Sequence, residues 1–236
     1  MKKFPEPKDI DVVILCGGFA KRLGGILGKL PKAMAEIKGR PFLDILIDYV
    51  ADSGFRRFIL CTGYRADIIK QYYHKKKGPL KFVFSREDEL LGTAGAIKNA
   101  RAFIRSPLFL VLNGDSLCRI DLRKFIAFHL KKRALVSIAL THIKDKKDYG
   151  NVTLGKTDKV IGFKEKPQAN KKSLVSAGTY LFQKKALSLM PKDKNTSLER
   201  DFFPKMASKK LYGYVTNKIL VDIGTPERYK KAREFL

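Results

Sequence analysis

Short apolar runs alternate with segments of helical periodicity through the first half of the chain. The run Asp11 to Cys16 ends at Gly17-Gly18, which is typical of a buried parallel strand that leads into a glycine loop. Similar runs cover 57–62, 80–85 and 108–112, whereas 43–53, 67–73 and 93–103 carry apolar residues at helical spacing. This alternation predicts an α/β fold, with a mainly parallel sheet and helices on both of its faces.

The pattern changes at Val136, where strand-like stretches separated by turn residues begin. They lie at 136–141, 150–154, 160–165 and 176–182. We expect them to form a mixed or antiparallel sheet that covers the crevice at the strand ends of the first half. Two helices are predicted after them, 197–206 with Ser197 as N-cap and 225–235 with Pro226 in its first turn.

The predicted sheet also indicates where a ligand would bind. In parallel α/β sheets, ligands lie beyond the carboxyl ends of the strands. Gly17-Gly18 follow the first strand and Asp115 follows the strand 108–112, so both fall at this edge. We expect one crevice to hold both.

Length and composition narrow the class of protein. The chain of 236 residues is long enough for one domain with one active site, divided roughly into the halves 10–130 and 131–236. No apolar run approaches the roughly 18 residues that span a bilayer, and Pro5 to Asp9 stand where a signal peptide would be apolar. Cys16, Cys61 and Cys118 lack metal-ligand spacing and are predicted to be core residues. We expect a cytoplasmic protein without membrane contact.

The formal charge of +26 invites a nucleic-acid interpretation, because polyanions bind basic surfaces. The lysines are scattered over every segment, and no nucleic-acid module accompanies them. A solvated lysine-rich surface is the simpler interpretation, and it would also attract polyphosphate substrates. We expect no nucleic-acid partner. The histidines His74, His129 and His142 lie in surface-like contexts, so no general base is conspicuous.

The segment Gly17 to Leu23, followed by Pro31-Lys32, combines a glycine turn, an arginine and a lysine after a strand. Glycines allow backbone N–H groups to approach an anion, and an arginine offers a fork of donors to phosphate oxygens. The pattern favours a triphosphate cradle, although two glycines after a strand are also common in a plain tight turn.

The same residues resemble the signature GGxGxRL…PK of the sugar-phosphate nucleotidyltransferases. Further segments match that family in order: LGTAGAI (91–97), NGD (113–115), YGNV (149–152), EKP (165–167) with SAGTYLF (176–182), and VDIGTPERY (221–229). The resemblance implies a Rossmann-like nucleotide-diphospho-sugar transferase fold, a three-layer αβα sandwich with a mixed, mainly parallel sheet. It also implies Mg²⁺-dependent transfer of a nucleotidyl group from a nucleoside triphosphate to a sugar 1-phosphate, with release of pyrophosphate.

Roles for individual residues also follow from the resemblance. Arg22, Lys32 and Asp115 would be catalytic, and Asp115 and Asp222 would hold Mg²⁺. The nucleotide would be bound by Leu15, Gly17, Gly18, Arg22, Glu87, Gly92 and Thr93, and the sugar phosphate by Asn113, Gly150, Glu165, Lys166 and Gly178. Elementary chemistry supports the metal, because Mg²⁺ takes one or two carboxylates together with phosphate oxygens, and both aspartates follow apolar stretches. A lone aspartate is otherwise most often a turn residue or a cap.

Glu87 bears on the choice of base. Thymidylyl and uridylyl members of the family often have glutamine here, whereas mannose 1-phosphate guanylyltransferases resemble this chain in having glutamate before LGTAG. A carboxylate accepts two hydrogen bonds, and guanine offers N1–H and N2–H₂ as adjacent donors, so we expect GTP. A solvated loop charge is the alternative.

The ending VDIGTPERYKKA and the segment SLERDFF (197–203) most resemble the D-glycero-α-D-manno-heptose 1-phosphate guanylyltransferases of bacterial surface-glycan pathways, with mannose 1-phosphate the nearest rival substrate. The chain ends at Leu236, so no C-terminal β-helix is expected. Two other functions stay open: uridylyl, cytidylyl or thymidylyl transfer to another sugar or alcohol phosphate, and a non-catalytic nucleotide-sugar-sensing subunit. A homo-oligomer also stays open.

Four positions depart from the family signature: Ala20-Lys21 replace Gly-Thr, Cys16 replaces alanine, and Ala33 replaces proline. If position 20 requires a positive φ, Ala20 would cost about 1 kcal/mol of strain. Lys21 adds a cation beside the expected triphosphate, and we hypothesise that it partly compensates.

Overall fold

A computed structural model describes residues 5–19, 21–143, 149–164, 173–191, 195–207 and 209–236. Its helices are α1 (Gly24–Leu27), α2 (Phe42–Asp52), α3 (Ala66–His74), α4 (Gly92–Asn99), α5 (Leu122–Lys131), α6 (Phe203–Met206) and α7 (Pro226–Phe235). Its strands are β1 (Asp11–Leu15), β2 (Glu36–Ile37), β3 (Arg40–Pro41), β4 (Arg57–Thr62), β5 (Lys81–Arg86), β6 (Leu108–Asn113), β7 (Ser116–Cys118), β8 (Val136–Ile143), β9 (Asn151–Leu154), β10 (Val160–Lys164), β11 (Ser173–Gln183), β12 (Leu211–Thr216) and β13 (Leu220–Asp222). A π-helix, Leu198–Phe202, leads into α6.

One mixed sheet of nine strands runs through both halves of the described chain. Its first part, in the order β6-β1-β4-β5, is parallel. β11 then pairs antiparallel with β6 on one edge and with β8 on the other, and β12 adds to β8 in parallel. β9 pairs antiparallel with β10 and touches the first half of β11. The strands β8 to β12 therefore extend the central sheet, which is mixed as expected, and do not form a separate sheet over the crevice; β13 instead pairs with β7 in a small two-stranded sheet.

Helices pack on both faces of this sheet, because successive side chains of a strand point to opposite sides. Val12 and Ile14 face a core with α2, α3, α5 and α7, whereas Val13 faces a second core with α4, the π-helix and α6. The arrangement is the three-layer αβα sandwich that the sequence predicts, with a mixed, mainly parallel sheet.

Most predicted elements match observed ones closely. The strand at 57–62 has the predicted bounds, and the helix predicted at 93–103 ends earlier, at Asn99, before a 3₁₀ turn at Ala100–Ala102. Ser197 and Thr225 act as N-caps, since their hydroxyls accept hydrogen bonds from the N–H groups of Arg200 and Arg228. α5 and β12 are not among the predicted elements.

His129 corrects one expectation. It lies on the buried face of α5, at helical spacing from Leu122, Phe125 and Ile126, and it is fully buried. Its Nδ1 lies 2.9 Å from Oγ of Ser137, and burial lowers its pKa to about 4. The surface-like context predicted for this histidine was therefore wrong, because the apolar stripe of α5 continues through it.

The three cysteines are free and buried, as the sequence predicts. The thiol of Cys16 faces the carbonyl of Cys61 in β4, and the thiol of Cys61 faces the carbonyl of Ala96 in α4. None of the helices in the described parts of the chain has the length and apolar character that crossing a lipid bilayer demands.

Candidate active site

The carboxyl ends of β1 and β6 lie side by side and form the floor of the candidate site. Leu15 is paired with Asn113, and the N–H of Gly114 donates to the carbonyl of Leu15 over 2.9 Å. A Cβ at Gly114 would lie 2.7 Å from that carbonyl oxygen, so only glycine fits there. This close approach fixes the position of Asp115, the next residue.

Asp222 reaches Asp115 through the small two-stranded sheet of β7 and β13. In its register Asp222 pairs with Ser116, and the N–H of Ile223 donates to the carbonyl of Asp115 over 3.0 Å. Residues more than a hundred positions apart thus present two carboxylates to one crevice. The sequence placed both aspartates after apolar stretches, but their juxtaposition depends on this strand pairing.

Two cations lie against these carboxylates. Nζ of Lys32 lies 2.5 Å from Oδ2 of Asp115. A Cβ at Gly224 would lie 3.7 Å from Nζ of Lys32 and 3.8 Å from Nη2 of Arg22, so both cations reach the turn that follows Asp222. The cluster concentrates charges of both signs at the carboxyl ends of the strands.

Asp222 is itself held by several donors. Its Oδ1 accepts from the N–H of Gly224 over 2.9 Å and faces Nη1 of Arg228 at 3.5 Å, while Oδ2 accepts from the hydroxyl of Tyr149. The guanidinium of Arg228 lies 4.4 Å from the centre of the Tyr149 ring. Burial raises the pKa of Asp222, and the charge of Asp115 adds to the rise, although the Gly224 N–H and Arg228 oppose it.

An open cavity of about 780 Å³ contains this cluster. It lies beside residues 176–178 of β11, between the stretch of that strand that pairs with β6 and the stretch that pairs with β9. The cavity is lined by Arg22, Lys32, Asn113, Asp115, Ser116, Tyr149, Gly150, Val152, Phe163, Ser176, Gly178, Tyr180, Glu199, Arg200, Pro204, Leu220, Asp222, Gly224 and Arg228.

Gly178 shapes the cavity wall through its backbone. Its φ is +68°, and the register of β11 against β8 shifts between Ser176 and Tyr180. A Cβ at Gly178 would collide with Oγ of Ser116 and lie 3.2 Å from Nδ2 of Asn113. β-Bulges often re-aim side chains beside active sites, and this one lets β11 approach the loop that carries Asp115.

Glu87 lies outside the cavity lining, in a niche between two glycine backbones. A Cβ at Gly17 would lie 2.6 Å from Oε1 of Glu87, and a Cβ at Gly63 would lie 2.7 Å from the same atom. Its Oε2 is buried and has no hydrogen-bond partner among the described residues. Burial raises the pKa of Glu87, and the N–H of Leu91 opposes the rise. This geometry differs from that of a solvated loop charge.

The segment after Glu87 is tied to the segment before the π-helix. Gly92 has a φ of +70°, and its backbone lies so close to Thr196 that a Cβ would collide with the Thr196 carbonyl. The N–H of Ala94 donates to that carbonyl, and Oγ1 of Thr93 accepts from the N–H of Leu198 over 2.7 Å. The Thr93 hydroxyl is therefore engaged within the protein.

The structure thus divides the predicted site residues into three groups. Those that line the cavity together are Arg22, Lys32, Asn113, Asp115, Gly150, Gly178 and Asp222. Those that lie outside its lining are Leu15, Gly17, Gly18, Glu87, Gly92 and Thr93. Glu165 and Lys166 fall outside the described residues, as does Ala20, on which the expected loop strain depends.

Several lining residues were not singled out from the sequence. Tyr149, Glu199 and Arg228 each belong to a quoted motif, namely YGNV, SLERDFF and VDIGTPERY. Nothing in a motif distinguishes a residue that faces a cavity from its neighbours. Tyr180, in SAGTYLF, belongs to this group for the same reason, and Ser116 directly follows the motif NGD.

The chain as a whole is similar to a known family and to several proteins of that family. The family described as "Nucleotidyl transferase" matches residues 11–236. A D-glycero-α-D-manno-heptose 1-phosphate guanylyltransferase of Aneurinibacillus thermoaerophilus is 34% identical over 96% of this chain and 98% of its own length. A mannose-1-phosphate guanylyltransferase of Mycobacterium tuberculosis is 32% identical over 93% of this chain, which spans 62% of that protein.

Solved structures of similar proteins have the same fold as this chain. The crystal structure of HddC from Yersinia pseudotuberculosis, also solved in complex with GMP-PN, has a TM-score of 0.84 and 37% identity, covering 96% of this chain and 99% of that one. A UDP-glucose pyrophosphorylase complexed with UDP-glucose has a TM-score of 0.82 at 17% identity, over 96% and 97% of the two chains. At that identity the second likeness shows the fold alone.

Proposed function

The chain belongs to the nucleotidyl transferase family, and we propose that it transfers GMP from GTP to a sugar 1-phosphate, releasing pyrophosphate and a GDP-sugar. The resemblance drawn from the sequence motifs is confirmed by its relatives, which are sugar-phosphate guanylyltransferases. The observation that carries the proposal is the meeting of Arg22, Lys32, Asp115 and Asp222 in one cavity beyond the strand ends.

The reaction joins two polyanions, so charge neutralisation is its main requirement. A phosphate oxygen of the sugar 1-phosphate would attack the α-phosphorus of GTP, and the bond from that phosphorus to the β-phosphate oxygen would break. We assign Arg22 and Lys32 to the phosphate oxygens, because a guanidinium offers paired donors and an ammonium a compact charge. Positioning and electrostatic stabilisation account for most of catalysis in phosphoryl chemistry.

Mg²⁺ fits the donors that this site offers. Magnesium uses one or two carboxylates and completes its octahedral shell with water and phosphate oxygens, so a cage of three or more protein ligands is not required. Asp115 and Asp222, brought together by β7 and β13, would hold it. When bound, the metal would neutralise charge on the phosphates. Lys32 contacts the carboxylate of Asp115, and the hydroxyl of Tyr149 contacts that of Asp222.

No general base is required for this chemistry. A phosphate monoester has its second pKa near 6 and is largely dianionic at neutral pH, so its oxygen is already a nucleophile. None of the histidines in the described residues lines the cavity. The role of the protein is then to hold the two substrates in line.

We propose that Glu87 reads guanine. Its unpartnered Oε2, together with Oε1, can accept the two adjacent donors of the guanine edge. The guanylyltransferase relatives and the GMP-PN complex of HddC support this choice of base. Gly17 and Gly63 keep the niche open, since a side chain at either position would collide with the carboxylate.

The heptose 1-phosphate of two relatives is the preferred acceptor, with mannose 1-phosphate second. The half 10–130 would bind the nucleotide and the half 131–236 the sugar. Glu165 and Lys166 stay predicted contacts of the sugar phosphate. The cytoplasmic location, the absence of a nucleic-acid partner and a homo-oligomer also stay predictions.

Pyrophosphate release tests the proposal. The wild-type chain with Mg²⁺ would be assayed with GTP, ATP, CTP, UTP and dTTP against heptose 1-phosphate, mannose 1-phosphate and glucose 1-phosphate. Asp115→Asn removes the carboxylate at nearly constant volume, and Asp52→Asn, on the exposed end of α2, is the matched control. Turnover with GTP that is lost only in Asp115→Asn supports the proposal. Turnover with another nucleotide alone contradicts the choice of GTP, and silence across the panel contradicts the reaction.

A further inference from the structure

Glu199 is the one acidic residue of the cavity lining, within the described chain, that the proposed reaction leaves without a role. The charged lining residues are the cations Arg22, Lys32, Arg200 and Arg228 and the carboxylates of Asp115, Glu199 and Asp222. Asp115 and Asp222 are assigned to the metal. A third carboxylate would repel a phosphate, so its presence suggests that the part of the cavity it faces receives something other than phosphate.

The Glu199 carboxylate is held in place by hydroxyl groups. Oε1 accepts from the hydroxyl of Tyr180 over 2.7 Å, and Oε2 accepts from the hydroxyl of Ser197 over 3.2 Å. Burial, together with the charge of Glu199, raises the pKa of Tyr180 well above its usual value, so Tyr180 stays a proton donor. Each carboxylate oxygen has about two acceptor positions, so both retain one for a further donor.

Unpartnered polar atoms lie close to this carboxylate. Tyr180 links it to Asn113, whose Nδ2 lies 3.5 Å from the Tyr180 hydroxyl. Oδ1 of Asn113 and Oγ of Ser116 are buried without a hydrogen-bond partner among the described residues, and both residues line the cavity. Buried polar atoms are nearly always satisfied in folded proteins, so these two indicate a polar ligand.

Glu199 is carried by a rigidly placed element. It belongs to the π-helix Leu198–Phe202, a conformation that is rare and frequent at functional sites. Oγ1 of Thr93 accepts from the N–H of Leu198, and Oδ2 of Asp201 accepts from the N–H of Ser197 over 2.6 Å. These bonds fix the start of the π-helix and hence the direction of the carboxylate.

We propose that Glu199 determines sugar specificity by accepting hydrogen bonds from hydroxyl groups of the sugar, with Asn113 and Ser116 completing the same polar wall. The proposal rests on the proposed function, because it assigns the ligand of this wall as the sugar of the acceptor or of the NDP-sugar product. Vicinal hydroxyls are suited to a carboxylate with one open position on each oxygen. Tyr180 is a positioning residue, because it acts on the sugar through Glu199.

Equilibrium binding of the product tests this without relying on turnover. Dissociation constants for GDP, for GDP-mannose and for the GDP-heptose would be measured by calorimetry on the wild type, Glu199→Gln and Glu234→Gln. The last variant removes one carboxylate from the exposed side of α7 and is the matched control. The dissociation constant for GDP divided by that for GDP-mannose, or by that for the GDP-heptose, measures what the sugar contributes to binding.

The expected result is a fall of roughly tenfold to a hundredfold in that ratio for Glu199→Gln, the range for losing a hydrogen bond to a charged group. The constant for GDP should stay within about twofold, and Tyr180→Phe should give a smaller fall of the same kind. An unchanged ratio overturns the inference, and so does equal weakening of GDP and GDP-mannose, which would indicate a structural role. A wild type that gains nothing from the sugar, with GDP-mannose and with the GDP-heptose alike, also overturns it, whereas the proposed reaction is decided separately by pyrophosphate release.

Discussion

Two parts of the cavity lining handle charge differently. At the charged end, formed by β1 and β6, opposite charges meet directly, as in the 2.5 Å contact of Lys32 with Asp115. At the sugar end, formed by β11 and the π-helix, the carboxylate of Glu199 is held by the hydroxyls of Tyr180 and Ser197. Direct ion pairs suit phosphates, which differ little between substrates, whereas oriented neutral donors and acceptors suit hydroxyls, whose positions distinguish one sugar from another. Catalysis and selectivity should therefore be separable by mutation.

The largest effect should come from the charged end. Lys32→Met is expected to lower kcat by about 10²–10³-fold, as for the loss of a preorganised group that stabilises transition-state charge. The order of preference among sugars should not change, because under the proposed function this end binds phosphate and not the hydroxyls of the sugar. Steady-state kinetics with each sugar phosphate measures both, with Lys29→Met, exposed after α1, as control. A change in sugar preference would contradict the division between the two ends.

Substitution of Glu87 should change the preference for the nucleotide base and leave the preference for the sugar unchanged. Glu87→Gln removes the charge that would face the two donors of guanine, and the new amide can offer only one acceptor. We expect the preference for GTP over UTP, measured as the ratio of kcat/KM values, to fall about tenfold to a hundredfold. Glu89→Gln in the same loop is the control. An unaltered ratio would mean that guanine is recognised elsewhere.

Thr93 should connect the segment after Glu87 to the π-helix that carries Glu199. Thr93→Val removes the acceptor for the N–H of Leu198 at almost constant volume, which leaves a donor unpaired and should cost about 1–3 kcal/mol of unfolding free energy. Because the π-helix carries Glu199, KM for the sugar phosphate should rise severalfold while KM for GTP changes less. Urea unfolding and kinetics report the two effects. Thr93→Ser keeps the hydroxyl and should restore both; equal changes in the two KM values would refute the link.

Asp11 provides the contrast of a carboxylate outside the cavity. Burial alone would raise its pKa, but the N–H of Ser106 and the guanidinium of Arg57 outweigh burial and lower it. Its stabilisation is therefore present above the ordinary value of 3.8 and is lost as pH falls through the lowered pKa. Asp11→Asn should cost about 1–3 kcal/mol of unfolding free energy at neutral pH, less below pH 3.8, and leave kcat/KM within about twofold.

Denaturant titrations over a range of pH test Asp11, with the exposed Asp9→Asn as control. A destabilisation that persists unchanged at acid pH would show that the carboxylate charge is not its source. A large loss of activity would show that the strand start at Asp11 communicates with the cavity.

The sequence predicts the parallel half of the sheet well, because buried strands such as 57–62 are continuous apolar runs bounded by turns. It also indicates Arg22, Lys32 and Asp115, since each follows a strand or lies in a motif. The Tyr180–Glu199 contact could not be predicted, because it depends on the bulge in β11 and on a π-helix that brings residue 199 to the same wall. α5 is not predicted, because the sequence indicates a surface-like context for His129 and the buried stripe that it continues, Leu122, Phe125 and Ile126, is therefore not recognised.

β11 has a consequence for how the chain folds during synthesis. Among the described residues, the edge of β6 that faces away from β1 pairs with β11, which ends at residue 183 of 236. When β1, β4, β5 and β6 have left the ribosome, that edge still presents unpaired N–H and C=O groups, a surface prone to joining other chains. Translation must continue for some seventy residues past β6 before an internal strand can cover it. The nascent chain is therefore most vulnerable to aggregation in that interval, and a co-translational chaperone would protect it there.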